Sequence, residues 1–482
     1  AEASVTRLVL AALGGSLLAS LGLAVTWVAG GPRHVILGTW WRAGGVRADL
    51  AAQVDGPGVA LSLLAACWLL IGARAAVTYL HREPGYARFQ ALLCVFAAGM
   101  QLVALGGSLL LMFVGWELLG VSSALLIGWR FQRRDSTLGG LRALLTNRVG
   151  DAAFVLAMAV AWSAAGTVDL EALAAGGLAA WQAGLTFGLL TIAAAAKAGQ
   201  LPFSPWLSRS IEGPTLSSAL FYAAVMVHAG PFLLVRAAPL ASRAPSVMVL
   251  PVTVGLVTVG YGWLVSITQP DVKGAYVHAS MSQVGVSFAL AGAGWTEVAM
   301  VHLVGHSALR GWQLMTAPSF REQVGGLAAP EAPAWLRARP ALQVAASARL
   351  WMDEAHDDLV VQPARRLARD LAVLDAAVLD PISELPEPAE RPASSLALWE
   401  AGRTSGRGPA EPRGLVARVL GWSVELAYGV EERFVLPLFG SHLPRFVRAL
   451  GRIAAPVEAV MAEAWFAPAV VLLTLALVME GR

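Results

Sequence analysis

Apolar runs of about 20 residues recur along the first two thirds of this chain, separated by short polar turns, and a run of that length is what a helix needs to cross a bilayer. The pattern predicts roughly ten spans before residue 320, centred near residues 18, 68, 95, 117, 153, 190, 224, 257, 281 and 307, with an eleventh near residue 472. The first run, from about Arg7 to Gly30, is followed by no convincing cleavage site and reads as a retained helix. The connection from Pro32 to Asp55 is longer than the other turns and carries Trp40 and Trp41, which suit a membrane interface.

One stretch, Thr191 to Gly230, breaks the pattern. A small-residue apolar helix carrying Lys197 meets Pro202 and Pro205 at once, and Gly213-Pro214 restarts a second apolar helix that carries His228. Proline lacks an N–H and clashes with the turn behind it, so a helix break is expected between Lys197 and Gly213. Irregular backbone at membrane depth is tolerated only where protein or water covers it, and a buried ammonium faces the same constraint. The stretch therefore reads as part of an ion or proton path, against the plainer reading of a snorkelling lysine beside an ordinary proline turn.

Between Ser319 and Glu463 the character changes: Arg, Pro and acidic residues become frequent and no run can span. MDEAHDDLVVQPARRLARDLAVLDAAV, from Met352, and LAYGVEERFVLPLFGSHLPRFVRALGRIAAPVEAV, from Leu426, share an acidic pair, a short apolar run ending in proline, and an Arg-rich amphipathic helix. Such helices lie along a membrane surface or dock on partner helices. The linker between them, Glu384 to Arg413, is rich in Pro, Ser, Gly and Glu, a composition expected to be mobile.

Composition agrees. The 482 residues are 57% hydrophobic and 14% charged, against about 25% charged in soluble domains, so a polytopic membrane protein is expected. Cys67 and Cys94 both lie in apolar runs, without metal or disulfide spacing. Lys and Arg in short loops set orientation. With the N-terminus inside, the inner loops hold Arg82, Arg88, Arg130, Arg133, Arg134 and Arg142, while Arg33, Arg42, Arg47, Arg236 and Arg243 argue the other way.

Charges inside the spans are the candidate chemistry. Glu117 stands mid-span in LLLMFVGWELLGVSSALLIGW and must be paired, hydrated or protonated. It is expected to face Lys197, either as a static ion pair or as a pair that makes and breaks contact and so passes protons. Arg148 and Asp151 share one face of the next span; they are either an interfacial surface pair or the setters of Glu117's charge state. Lys273, His278, Ser280 and Ser282 lie in DVKGAYVHASMSQVG. His302, His306 and Arg310 line one face of VHLVGHSALRGW, a row that suits a hydrated proton relay; a metal site or plain helix-to-helix hydrogen bonds are the alternatives.

Taken together and in order, GWELLGVSSALLIGW, NRVGD, AKAGQLPFSPWLSRSIEGPTLSSAL, DVKGAYVHASMSQVG and HLVGHSALRG resemble the antiporter-like membrane subunits of respiratory complex I, above all the L-type subunit shared with Mrp antiporters. The resemblance covers roughly residues 50–316. It implies an all-α polytopic antiporter-like fold of about eleven transmembrane helices plus amphipathic C-terminal helices. By resemblance Glu117 and Lys197 match the family's glutamate and pairing lysine, and Lys273, His302 and His306 its central relay. Arg310 stands where a lysine is common. Tyr222 stands where the L-type subunit commonly has a histidine, with His228 about a turn and a half further on. The family has two inverted five-helix repeats; here the second, at 246–318, is read as incomplete after a first at 106–236. The other parts are the N-terminal helices at 1–105, a cytoplasmic or interfacial region at 319–463 and a last span at 464–482. Two segments, SALFYAAVMVHAGPFLLVR and GHSALRGWQLMTAPS, resemble the DabB-type subunits of DAB inorganic-carbon complexes, which pair with a large zinc-bearing DabA subunit.

The expectation is a proton-conducting subunit in a bacterial inner membrane, with the N-terminus and residues 319–463 cytoplasmic. It would be part of an energy-coupled carbon dioxide/bicarbonate uptake complex. The relay would run through Glu117, Lys197, His228, Lys273, His302, His306 and Arg310, supported by Arg148, Asp151, Tyr222 and His278. No covalent catalysis and no cofactor are expected in this chain, zinc is expected in the partner, and lipid but not nucleic acid is the other contact. The rivals are a subunit of a complex I-like or Mrp-type assembly and a non-conducting membrane anchor for a soluble enzyme.

Overall fold

The computed structural model describes residues 2–43, 46–316, 332–374 and 472. Helical segments stand at each of the ten span centres before residue 320: α1 (Glu2–Val28), α2 (Gly56–Tyr79), α3 (Tyr86–Leu105), α4 (Leu109–Ile127), α5 (Arg134–Ala165), α7 (Ala180–Lys197), the α9–α10 stretch (Thr215–Ala219 and Ala229–Ala241), α11 (Val249–Ser266), α12 (Val272–Gly292) and α13 (Thr296–Thr316). Among the described residues, six helices are long and apolar enough to cross a membrane by themselves: α1 to α5 and the stretch Pro245–Ser266. α12 and α13 are diluted by the histidines, lysine and serines expected to work at membrane depth. The protein is a helical, multi-pass membrane protein. The expected eleventh span and the second Arg-rich amphipathic helix lie outside the described residues, apart from a helical Leu472.

One element departs from an all-helical reading. The Pro32–Asp55 connection folds as an antiparallel hairpin, β1 (His34–Ala43) and β2 (Val46–Gln53), with two register shifts. β-branched and aromatic residues dominate its first strand, HVILGTWWRA, and favour a pleated surface. The hairpin is tied to the helices at its base: Gly107 N–H donates to the Ala51 carbonyl, and Ala52 bridges Gly106.

Small residues let the helices approach. α11 packs along α12, and a Cβ at Gly285 would stand 2.7 Å from the Gly255 carbonyl oxygen, so only glycine fits that crossing. α7 lies between α5 and α10, and α4 between α3 and α5, which brings Glu117, Asp151 and Lys197 to one interior.

The chain breaks twice near the centre. α7 stops at Lys197; Gly199 takes a left-handed φ of +61°, Leu201–Pro202 is cis, and the short helix α8 (Pro205–Arg209) follows. The end is satisfied locally, as Gln200 N–H donates to the Ala195 carbonyl and Trp206 Nε1–H to the Ala196 carbonyl. The second break was not expected. The helix restarted by Gly213-Pro214 gives way to a π turn at Leu220–Ala224 and a 3-10 turn at Met226–His228 before α10 begins. Pro231 suits the start of α10, because in the first turn its missing N–H costs no helical hydrogen bond. The Ala224 carbonyl freed by the π turn accepts a hydrogen bond from Ser307 of α13.

Arg236 corrects the loop reading. It is not in an outer loop but buried in α10, where its guanidinium contacts Asp55 and donates to the Ala104 carbonyl at 2.9 Å. Asp55 also caps α2, accepting from Gly58 N–H at 2.9 Å. Arg243 donates to the carbonyls of Leu178 and Ala175.

Residues 332–360 fold with the helices. Trp335 stacks on Trp263 of α11 with rings 5.7 Å apart and nearly parallel. Residues Val361–Ala449 form a second unit, described through its first helix, Gln362–Leu374, whose polar face holds Arg365, Arg366 and Arg369 and whose apolar stripe holds Leu367 and Leu371.

Candidate functional site: a charged cluster and a histidine row

At membrane depth α4, α5 and α7 converge on four charged residues. Lys197, in the last turn of α7, is completely buried. Its ammonium donates to the Trp116 carbonyl at 3.0 Å and sits 5.0 Å above the Trp116 ring. The ion-pair partner of Glu117 is Arg148, at 2.6 Å, rather than Lys197. Arg148 also reaches Asp151 at 2.8 Å. Asp151 is only 4% exposed whereas the Arg148 side chain is 42% exposed, so the pair runs from the surface into the cluster, where both members bear on Glu117. The electrostatic neighbours of Lys197 are Asp151, then Glu117, then Arg148.

The cluster closes at Gly120, one turn along α4 from Glu117. A Cβ there would meet the Lys197 ammonium at 3.1 Å and the Arg148 guanidinium at 3.5 Å, so both cations converge on the space beside this glycine. Two cations and two carboxylates balance when all are ionised. Arg148 cannot give up its proton and acts as a fixed positive charge, whereas Lys197 and the carboxylates can exchange one. Glu117 Oε1 and Asp151 Oδ1 are buried without a hydrogen-bond partner, leaving acceptors for that exchange.

The second group is built from α10, α12 and α13. His228 Nε2 and His306 Nδ1 are 2.9 Å apart, an imidazole-to-imidazole hydrogen bond between the α10 entry and α13. His302 stacks one turn away, its ring 6.2 Å from that of His306 and nearly parallel, with its Nε2 3.1 Å from the Gln283 carbonyl oxygen of α12. His228 Nδ1 and His306 Nε2 have no partner and are buried. The second helix break is what aims His228 at His306. Arg310, a turn beyond, lies 5.5 Å from the Tyr276 ring and donates to Gln313 at 2.8 Å.

Lys273, at the start of α12, donates to Thr215 Oγ1 at 2.9 Å, and Tyr79 donates to the same oxygen at 3.0 Å. His278 is buried, with Nδ1 2.9 Å from the Gly274 carbonyl oxygen and Nε2 unpartnered. Tyr222 lies on the π turn, and its side chain falls outside the described residues.

A third group was missed by sequence reasoning. Asp353 of the MDEAHDD segment pairs with Arg209 of α8 at 2.9 Å and with Arg349 at 3.1 Å. Asp357 contacts Arg142 of α5 in a two-pronged ion pair, and His356 Nε2 lies 2.8 Å from Thr146 Oγ1. Burial pushes the His356 imidazole below its ordinary value, Asp357 opposes that shift and Arg142 adds to it. The signal was present: an acidic segment and a set of arginines in the short loops whose charges complement it.

Residues 106–328, which include every candidate from Glu117 to Arg310, match the family model described as NADH:quinone oxidoreductase/Mrp antiporter, TM. Over 284 residues the chain is 36% identical to the NADH-quinone oxidoreductase subunit L of Mycobacterium tuberculosis (strain CDC 1551 / Oshkosh), which takes in 57% of this chain and 44% of that protein. It is 30% identical over 308 residues to NAD(P)H-quinone oxidoreductase subunit 5, organellar chromatophore 1, of Paulinella chromatophora, covering 62% of this chain and 46% of that one. The chain thus spans less than half the length of these relatives. In structure it resembles a chain of the Mrp complex from Dietzia sp. DQ12-45-1b, with a TM-score of 0.57, 24% identity and coverage of 65% of this chain and 36% of that one. It also resembles a chain of the membrane-bound sulfane sulfur reductase, an archaeal respiratory membrane complex, with a TM-score of 0.55, 18% identity and coverage of 63% and 64%. At those identities the likeness concerns fold. The chain therefore carries an antiporter-like membrane segment, and both charged groups at membrane depth fall within it.

Proposed function

We propose that this chain is a proton-conducting, antiporter-like membrane subunit of a multisubunit assembly of the complex I or Mrp type. The observation that carries the reading is the cluster of Glu117, Arg148, Asp151 and Lys197, in which Asp151 and Lys197 are buried, together with the His228–His306–His302 row. Charges at membrane depth are costly, and a passive anchor gains nothing from them. Protons would pass between Lys197 and the carboxylates while Arg148 holds the local field, and along the imidazoles, each of which accepts a proton on one nitrogen and donates from the other. The purified chain, reconstituted in liposomes with an internal pH dye and an imposed potential, should acidify the lumen. Glu117→Gln should remove that flux while the protein still inserts; full flux in the variant would end the proposal.

A finer reading has its own support. The two segments that resemble DabB-type subunits, one holding His228 and the other His306, are joined by the imidazole-to-imidazole hydrogen bond. On this reading the assembly takes up inorganic carbon, with a cytoplasmic zinc-bearing DabA-type partner and this chain in a bacterial inner membrane, the Arg-rich face inward. Hydrating carbon dioxide releases a proton, and the energy of inward flow through this chain would gate the zinc chemistry so that it runs one way. Co-expression with the partner should rescue a carbonic-anhydrase-deficient bacterium in air, and an uncoupler should stop carbon uptake. Rescue by the partner alone would remove this chain from the process.

A further inference from the structure

Below the Arg-rich face, beside the α7–α8 break, lies a set of buried polar side chains that the two groups above do not use. Ser204 sits in the break and is 1% exposed, with its hydroxyl turned to that of Tyr261. Tyr261 of α11 lies beside it. The Tyr261 ring is 6.4 Å from that of His278 on α12, whose Nε2 is buried and unpartnered. One turn deeper, Gln200 donates weakly to the Met281 carbonyl at 3.4 Å and keeps a buried, unpartnered Oε1; it stands three residues beyond Lys197. Buried polar atoms are normally hydrogen-bonded to protein or to ordered water, and an uncompensated one is costly. Unpartnered buried polar atoms of this kind are what ordered water binds to.

The MDEAHDD segment covers these side chains. The Tyr261 hydroxyl donates to the Arg349 carbonyl at 3.4 Å, and the Arg349 and Asp353 charges bear on both Tyr261 and His278. Asp353 is clamped by Arg209 and Arg349, with Ser208 3.5 Å away. Arg349, Leu350 and Trp351 all take left-handed φ angles, of 54°, 53° and 53°. Non-glycine residues avoid that region because Cβ crowds the carbonyl oxygen, so the ion pairs hold a sharp turn that would relax without them.

We propose that Ser204, Tyr261 and His278 line a water-filled inlet that delivers protons to Lys197 from the Arg-rich face, and that residues 349–357 are its lid. The inference rests on the proton-conducting reading for what the inlet carries, but not for the existence of the inlet or lid. When Asp353 leaves Arg209, the lid lifts and bulk water reaches His278. Asp353 is then free to collect protons at the mouth.

The test uses the full chain with Cys67 and Cys94 replaced by alanine and Ser204→Cys as reporter, challenged with a small cationic methanethiosulfonate and followed by mass. Modification should be slow with the lid intact and at least tenfold faster with Asp353→Asn, while Asp353→Glu restores the slow rate. His278→Cys is the second reporter should Ser204→Cys fail to fold. Equal rates with and without Asp353→Asn, or no modification of either reporter, overturn the proposal. Labelling does not depend on flux: lid-dependent labelling in a chain that carries no protons would keep the inlet and discard the conduction.

Discussion

The charged cluster on α4, α5 and α7 and the histidine row on α10 and α13 solve the same problem in opposite ways. Both place polar side chains where lipid would surround a monomeric helix. The cluster does it by neutralisation: Glu117 and Asp151 share Arg148, and Lys197 leans on a backbone carbonyl and an aromatic face. The row does it without carboxylate or guanidinium: His228 and His306 satisfy one another on one nitrogen each and leave the other open, and His302 is held at the Gln283 carbonyl. A charged cluster resists change, because removing one member leaves an uncompensated charge in a low-dielectric interior. A row of imidazoles tolerates substitution by water at modest cost.

That contrast sets the order of expected effects. Glu117→Gln should lower proton flux in liposomes by roughly 100-fold or more, the scale of losing a placed acid–base group. His306→Gln should lower it by about tenfold, since water can bridge part of the gap; a loss as deep as that of Glu117→Gln would show the row to be as indispensable as the cluster. Gly120→Ala should lower flux about twofold, or roughly 0.4 kcal/mol of barrier, because its Cβ meets the movable end of Lys197 rather than backbone. Gly305→Ala, between His302 and His306, meets nothing within 4 Å and should leave flux unchanged. Equal effects at the two glycines would argue that the cluster is not crowded around Gly120. A further effect, on stability rather than flux, concerns His356, a buried imidazole outside both regions. Because burial holds its folded value below the ordinary 6.5, the neutral form favours docking, and the stability it contributes is present above that pH and declines as pH falls below it. The thermal midpoint in detergent should therefore drop between pH 8 and pH 5, and by less in His356→Gln.

Much of this was legible in the sequence for reasons that are local. Ten apolar runs mark ten helical segments because lipid imposes length and composition on each one separately. The break after Lys197 was readable because Pro202 and Pro205 forbid continuation whatever surrounds them. The partner of Glu117 was not readable. Both Arg148 and Lys197 were in hand, but choosing between them depends on the rotation of three packed helices, which no single run encodes. The break at Leu220–His228 was hidden because its residues, LFYAAVMVH, are ordinary helix formers and the deviation is sustained from outside, by Ser307 taking the freed carbonyl. The hairpin was hidden because its second strand, VRADLAAQ, is mostly charged and small. The docking of Asp353 and Asp357 joins residues up to 215 apart in sequence, a pairing that composition cannot specify.

The buried contact between Asp55 and Arg236 has a bearing on how the protein is made. The residues are 181 positions apart, so α2 is synthesised and released from the ribosome long before α10 exists. Until α10 arrives, Asp55 has only Gln53 and the helix end it caps, whereas Arg236, on a 13-residue helix, would be a buried cation without its carboxylate. Retention of α10 in the bilayer is thus conditional on α2 already standing there with its carboxylate exposed. The pair acts as a checkpoint on insertion order, and Asp55→Asn should reveal itself first as protein degraded during biogenesis rather than as a slow transporter.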